Sequence, residues 1–315
     1  MSRPRIGVVG VGYLGSLHAR VLFELNNSHF VGVYDIDEQR MEKIARRYRV
    51  KAFPSLDELL SHVDAVICAV PTVEHYDVGM KVLKANRHLF IEKPIAETVQ
   101  QAEELVKEAR KRNLKLMVGH IERFNPAILS IRDRIDMPLY IEALRIAHFN
   151  LRGTDVDVVR DLMIHDIDLT LHFIGEEPSS IHAVGAPVIT DKVDIANVRM
   201  EFPSGAVATL TASRVSIKKT REFRIFQKDA YFSLNLMSRD GHMIKRGDEA
   251  IIPYFINVDE TVEPLKLEDA DFINAIIEGR EPHITGEDGL KALKVAKKIE
   301  DDIKKKLAKF SGGGR

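Results

Sequence analysis

The sequence predicts an α/β protein in two parts: a doubly wound parallel sheet, then an α+β domain on a mostly antiparallel open sheet. Three features predict it. Short apolar runs alternate with helically spaced segments through the first 120 residues, a glycine pattern separates the first run from the first helix, and from about residue 139 strand-like segments follow one another with little helix between them. Apolar strands divided by helices mark a parallel sheet covered on both faces, whereas period-two alternation marks a sheet with one open face.

The elements follow in order. "RIGVVG" is the first strand and "GSLHARVLFELN" its helix; "HFVGVYD" and "DEQRMEKIARRY" are the second pair. A short strand lies at 51–53, "VDAVICAV" with "HYDVGMKVLKAN" forms the next pair, and "RHLFIEK" precedes the amphipathic "TVQQAEELVKEARKRN". "LKLMVGH" is the sixth strand. Beyond 121 come "LYIEALRIAHF", "SSIHAVGAPVI", "IANVRMEF", "AVATLTASRV", "REFRIFQ" and "AYFSLNLM", with turn signals at "PSG" (203–205) and "RDG" (239–241). One helix interrupts them, "VVRDLMIHDIDLTLHFIG", ending at Gly175. Two more close the chain, at about 267–279 and at 288–309, the latter with Ala292, Ala296, Ile299, Ile303 and Leu307 on one face. The expected division is 1–121 for the first domain and 122–310 for the second, with the C-terminal helix able to pack back on the first and 311–315 a disordered tail.

The chain has 315 residues, 45% hydrophobic and 30% charged, with a net charge of −1. That is enough for sizeable cores, and the even charge balance argues against nucleic-acid or membrane-surface partners. Cys68 is the single cysteine, so no disulfide can form within the chain. A reducing cytoplasm is the expected compartment, and no signal peptide or membrane-length apolar run is visible.

Gly10-x-Gly12-x-x-Gly15 lies between a strand and a helix, the context in which such spacing binds a dinucleotide. Gly10 permits the tight turn, Gly12 lets the backbone approach a pyrophosphate, and Gly15 lets helix and strand pack closely. Tyr13 and Leu14 complete the loop and the helix start, whose N–H groups and dipole favour phosphate. Twenty residues after Gly15, Asp35 ends the second strand, placed to accept hydrogen bonds from a ribose 2′-OH. NAD is therefore expected over NADP, although Arg40 lies close enough in sequence to accommodate a phosphate.

Three further segments carry candidate chemistry. Ala69, Pro71 and Thr72 follow the fourth strand at the edge where open α/β sheets bind ligands, and His75 lies about one turn into the next helix. Glu92-Lys93-Pro94 ends the fifth strand on the same edge; a lysine in a partly dry cleft can act as acid or base. Glu92 can hold Lys93 by charge or point away. On the second domain's helix, Asp161 and His165 are four apart and share a face, with Asp168 close to it. An imidazole beside carboxylates is a candidate base. A metal is the competing reading of Asp-x-x-x-His, but no third ligand is spaced to complete a site, so no metal is expected.

Together, Gly10-x-Gly12-x-x-Gly15, Glu92-Lys93-Pro94 and Asp161-x-x-x-His165 resemble the glucose–fructose oxidoreductase / inositol dehydrogenase / MocA family over nearly the whole chain. The resemblance implies a Rossmann domain followed by an α+β domain, NAD as cofactor, and oxidation or reduction of a sugar, cyclitol or nucleotide-sugar hydroxyl. It implies that Lys93 stands near both the nicotinamide and the reacting hydroxyl, that Asp161 and His165 meet it across the cleft, and that Pro71, Thr72 and His75 line the nicotinamide ribose. His165 or Lys93 can be the base on this reading. It also implies a homodimer or homotetramer formed through the open sheet.

One stretch departs from the commoner family pattern. "GTDVDVVRD" replaces a glycine-rich run before Asp161. The stretches "VGHIERFNP", "RGTDV", "DLMIHDID" and "TASRVS", with "RIFQKDAY" after them, are similar to a bacterial branch that oxidises C3 of UDP-N-acetylglucosamine. In that branch a PLP aminotransferase turns the 3-keto product into a 3-amino sugar for lipid A. A diphosphate needs cations, and Arg123, Arg152 and Arg214 are the favoured candidates, ahead of Lys218, Lys219 and Arg221. The alternatives are a dehydrogenase of a free sugar or cyclitol such as myo-inositol, and a non-catalytic NAD-binding regulator. Regulatory relatives tend to lose the lysine or the histidine, and this chain retains both.

Overall fold

The structure is a computed structural model that describes residues 3–149, 156–246, 251–256, 258 and 261–312. The chain divides into two compact units, Met1–Ile121 with Glu263–Leu290, and Glu122–Val262 with Lys291–Arg315.

In the first unit, β1 (Arg5–Val9), β2 (His29–Tyr34), β3 (Lys51–Ala52), β4 (Ala65–Cys68), β5 (His88–Glu92) and β6 (Leu116–Gly119) form one parallel sheet in the order β3-β2-β1-β4-β5-β6. The helices are α1 (Tyr13–Glu24), α2 (Glu38–Tyr48), α3 (Leu56–His62), α4 (His75–Lys84) and α5 (Val99–Lys111). All four residues of β4 and all four of β6 are buried, as strands sandwiched between helix layers must be. Helix starts follow local chemistry: Asp37 and Ser55 cap α2 and α3, and Thr98 with Gln101 forms a capping box on α5. The strand order reverses between β1 and β4. The glycine loop after β1 and the Val70-Pro71 turn after β4 therefore flank the switch point, where such sheets bind ligands.

The second unit begins with a short helix, α6 (Pro126–Ile131), capped by Asn125. Its sheet has eight strands: β7 (Tyr140–Ile146), β8 (Ser180–Ala186), β9 (Ile195–Glu201), β10 (Val207–Ser213), β11 (Thr220–Gln227), β12 (Ala230–Asn235), β13 (Asp240–Arg246) and β14 (Ile251–Ile256). Every neighbouring pair is antiparallel except β7 with β10. Alternation is clean on β7, where every second residue is buried. The buried face packs against α7 (Ile164–Ile174) and the last helix, through Ile164, Ile167, Ala292, Ala296, Ile299 and Ile303. Leu307 of the expected stripe is only partly buried. The opposite face stays half-exposed within the chain and carries an aromatic row, with Tyr140–Phe226 centroids 5.5 Å apart and Phe226–Tyr231 4.6 Å.

The expected fold class is the one observed, with differences in detail. Short α3 and α6 and the strand β13 carry little apolar periodicity, and Pro253 weakens the strand signal of β14. The expected second domain ran unbroken from 122 to 310. In the structure α8 (Pro264–Glu278) groups with the first unit, and the division falls inside α9 (Gly286–Gly312). That last helix extends into the expected tail, and 313–315 lie outside the described residues.

Candidate active site

The glycine loop is built as its spacing requires. Gly10 has φ of 80° and donates its N–H to Tyr34 O at 2.8 Å. A Cβ on Gly15 would lie 1.8 Å from Gly10 O, so only glycine lets α1 start against the turn. Gly12 differs: the nearest atom to a Cβ there is Arg40 Nη1, 3.7 Å away. The fold does not need a glycine at 12, which is the expected signature of room left for a ligand. No side chain caps α1, and its first turn holds no acid. Asp35 is buried; Oδ2 accepts from Val11 N at 2.6 Å and Oδ1 from Asp37 N at 2.9 Å, so the carboxylate fixes the loop it flanks. Arg40 reaches within 3.8 Å of Asp35 and 3.0 Å of Asp37. Open space at Gly12, an uncapped helix start and an anchored acid fit a dinucleotide. Gly12→Ala is expected to keep stability within about 1 kcal/mol while weakening NAD binding. Gly15→Ala is expected to cost about 1–3 kcal/mol, because backbone must move. Chemical denaturation and NAD titration of both variants check the contrast.

At the β5 edge the Lys93-Pro94 bond is cis. Lys93 is half-buried and Glu92 is buried. Glu92 points inward: Oε1 lies 3.0 Å from His18 Nε2, and Oε2 accepts from Lys93 N at 3.2 Å. His75 is buried, with ring nitrogens 2.8 Å from Pro94 O and 3.0 Å from Val70 O. Burial lowers its proton affinity. The neutral ring sits between the turn after β4 and the one after β5 and donates to one of these two carbonyls. Pro71 and Thr72 open the short 3-10 turn that leads into α4. Cys68 is fully buried, and burial pushes its thiol up to about 12, which leaves it inert.

In the second unit the helix expected over 158–174 begins as a π-helix, Val159–Met163, before α7. Asp157 starts it, accepting at Oδ1 from Val159 N (3.0 Å) and Arg160 N (3.1 Å). Arg160 is held by Glu300 of α9 at 2.5 and 2.7 Å. Asp161 sits in this π turn and His165 in the first turn of α7; both are half-buried. Single π turns recur at functional sites.

The neighbouring charges are structural. Asp168, expected near the Asp161–His165 face, is buried and takes both arms of Arg123 at 2.8 and 2.6 Å. Asp166 takes both arms of Arg145 at 2.8 and 2.7 Å, and Glu122 accepts from Arg145 at 2.9 Å. Burial pushes Glu122 up, but Arg145 outweighs it and holds this carboxylate below its ordinary value. For Asp166 burial wins and the value rises. Arg214 is buried too, donating to Asp194 (2.8 Å), Val156 O (2.8 Å) and Thr190 Oγ1 (3.2 Å). Arg123 and Arg214, expected to receive a diphosphate, each have an internal carboxylate partner. Arg152 lies outside the described residues. Lys218 and Lys219 are exposed, and Arg221 is half-exposed, 3.6 Å from Glu122.

His18 and Asp269 were missed by sequence reasoning. A histidine three residues after Gly15 reads as one more residue on an apolar face, and Asp269, 2.8 Å from its Nδ1, lies 251 residues away. Among the described residues no three His, Cys, Asp or Glu side chains gather as a metal site, and no helix is long and apolar enough to cross a membrane.

Comparison with known proteins gives a consistent picture. Residues 4–120 match the oxidoreductase family with NAD-binding Rossmann fold, GFO/IDH/MocA, and residues 147–233 match the GFO/IDH/MocA C-terminal domain. The chain is 40% identical over 306 residues to the UDP-N-acetylglucosamine 3-dehydrogenase of Acidithiobacillus ferrooxidans, covering 95% of this chain and 97% of that protein. A solved structure of that dehydrogenase superposes with a TM-score of 0.92 at 38% identity, covering 97% of this chain and 99% of the other. The Thermotoga maritima myo-inositol 2-dehydrogenase is 26% identical over 98% of this chain and 100% of its own length.

Proposed function

The chain belongs to the GFO/IDH/MocA oxidoreductase family, and from that premise we propose that it is an NAD-dependent dehydrogenase oxidising C3 of UDP-N-acetylglucosamine. The observation that carries this reading is the 40% identity, along almost the entire chain, to a UDP-N-acetylglucosamine 3-dehydrogenase. Support from the residues is independent: the loop 10–15 fits a dinucleotide, and Lys93, Asp161 and His165 are all present and at least partly accessible.

NAD, when bound, supplies the hydride acceptor. The loop of Gly10, Gly12, Tyr13, Leu14 and Gly15 holds the pyrophosphate at the start of α1, and Asp35 reads the ribose. Ala69, Pro71 and Thr72 border the nicotinamide end, with His75 setting the turn behind them. Lys93 hydrogen-bonds the reacting hydroxyl, and either Lys93 or His165 takes its proton. Asp161 orients the imidazole from the preceding turn. For the diphosphate, the accessible cations among the described candidates are Lys218, Lys219 and Arg221, beside the internally paired Arg123 and Arg214. The half-exposed aromatic face of the eight-stranded sheet suits a homodimer or homotetramer. A PLP aminotransferase is the expected consumer of a 3-keto product.

The test is NADH formation at 340 nm with UDP-N-acetylglucosamine, UDP-glucose, free N-acetylglucosamine and myo-inositol, with an aminotransferase and glutamate to draw off ketone. Turnover confined to the UDP-amino sugar is the expected result. Turnover with inositol alone would keep the family and discard the nucleotide sugar. Asp35→Ala is expected to narrow the preference for NAD over NADP by about 1–2 kcal/mol, read from the two Kd values.

A further inference from the structure

The π turn that carries Asp161 is held from outside the helix. Ile164 N–H donates to Val159 O, five residues back, the bond that makes the turn a π turn. The sequence of the turn satisfies ordinary helical spacing, so its contacts set the form. Val159 and Met163 contribute apolar burial, which has no direction. The directional contact is Arg160, whose Nε and Nη2 meet Oε1 and Oε2 of Glu300 on α9 at 2.5 and 2.7 Å, a planar two-bond fork. The two side chains are only 17% and 13% exposed, so water competes weakly for the fork. The segment leading in is anchored as well: Arg214 Nη1 donates to Val156 O at 2.8 Å, and Val158 N to Val193 O at 3.0 Å. Asp157 accepts from Val159 N and Arg160 N, and its carboxylate also lies within hydrogen-bonding reach of Glu300.

We propose that Glu300 is a positioning residue for Asp161: by gripping Arg160 it holds the turn in its π form, and so fixes where Asp161 stands around the helix axis relative to His165. A π turn closes its bonds over five residues instead of four and is wider than an α-helix, so converting 159–163 to α would swing Asp161 around the axis relative to His165. The inference rests on the reading in which Asp161 orients the imidazole. In the fork both oxygens of Glu300 accept, as an ionised carboxylate does. Burial pushes Glu300 up to about 7; the hydrogen bond from Arg160 opposes this, and the charge of Asp157 adds to it. A proton taken up as pH falls through that value removes one oxygen from the fork and can be shared with Asp157. The grip is therefore full above about 7 and slackens below it. Among the described residues, β10, which packs on the turn, carries no charge. The loop that meets the turn at Val193 holds Asp194, paired with Arg214, and the exposed Asp191 and Lys192. On α9, Lys297 pairs with Asp301 at 2.6 Å and Lys304 is exposed.

Glu300→Gln keeps the size of the side chain and cannot ionise. Hydrogen–deuterium exchange of the peptide spanning 157–165, read by mass spectrometry beside wild type, reports the turn without turnover. At about pH 8.5 the variant is expected to exchange about tenfold faster; at about pH 6, where wild-type Glu300 is itself mostly protonated, the two are expected to agree. The kcat with UDP-N-acetylglucosamine is expected to follow, about tenfold lower at the higher pH and close to wild type at the lower. In an Asp161→Asn background Glu300→Gln is expected to cost nothing more, because it acts through Asp161. An exchange rate that does not move, a ratio to wild type that is the same at both pH values, or additive losses in the double variant overturns the proposal. If Glu300→Gln does not fold, Arg160→Met with Glu300→Leu, which leaves neither charge alone, takes its place, and unchanged exchange there overturns the proposal too. Faster exchange in an enzyme that Asp161→Asn leaves fully active upholds the grip and removes Asp161 from the chemistry. Unmoved exchange in an enzyme that Asp161→Asn inactivates overturns the proposal and leaves the catalytic reading in place.

Discussion

Replacing Lys93 with Met is expected to lower kcat with the proposed substrate, UDP-N-acetylglucosamine, by about 10²- to 10⁴-fold, the range for loss of a positioned acid or base. Met keeps most of the length and apolar stem of lysine, so the half-buried stem still packs. What goes is the ammonium. NAD binding is expected to persist, because the glycine loop and Asp35 are held by bonds in which the Lys93 side chain has no part. Steady-state kinetics beside an NADH fluorescence titration check both halves. Full turnover in the variant would remove Lys93 from the chemistry. Loss of NAD binding would mean that the side chain serves the cofactor instead.

Asp194→Asn is expected to destabilise the second unit by about 3–5 kcal/mol, the scale for breaking a buried ion pair from one side. One carboxylate there gathers five donors. Val188, Ile189 and Thr190 donate backbone N–H groups at 2.8, 2.7 and 2.8 Å, Thr190 its hydroxyl at 2.8 Å, and Arg214 its Nε at 2.8 Å. Burial pushes Asp194 up, but these bonds prevail and hold it well below the ordinary carboxylate value. A depressed native value contributes stability that is full above about 3.8, the unfolded value, and is lost as pH falls through the lower native one. Urea unfolding at pH 7 and pH 4 should find the variant weaker at both. Below that range, the gap to wild type should narrow, because the wild-type carboxylate protonates as well. A variant as stable as wild type at pH 7 would mean that Arg214 finds another partner.

The places of Lys93, Asp161, His165 and the glycine loop on their elements were legible because each is a short-range pattern: a strand end, a helical face, a turn with fixed spacing. The internal pairing of Arg123 and Arg214 was not. An arginine reads the same whether it faces solvent, a phosphate or a buried acid, and its partner decides. Asp168 is 45 residues from Arg123, and Asp194 is 20 from Arg214, distances at which no local pattern links them. The π turn at 159–163 was hidden for a different reason, since its sequence satisfies ordinary helical spacing and only the hydrogen-bond ladder tells them apart. Likewise β13, "DGHMIKR", joins its sheet through backbone pairing with β12 and β14, although its side chains alone would not place it there.

The return of α8 to the first unit bears on how the chain is made. Synthesis delivers the six strands of the parallel sheet within the first 119 residues, yet the acid that completes the His18 pair arrives only at Asp269. Until then the nascent first unit holds a histidine in its interior with one carboxylate instead of two, and Phe90 lacks its edge contact with Phe272. A fragment cut at residue 121 would be frozen at that stage. The unit that reads as the first to fold is therefore not finished when its sheet is made, and its completion waits until Phe272 has been synthesised.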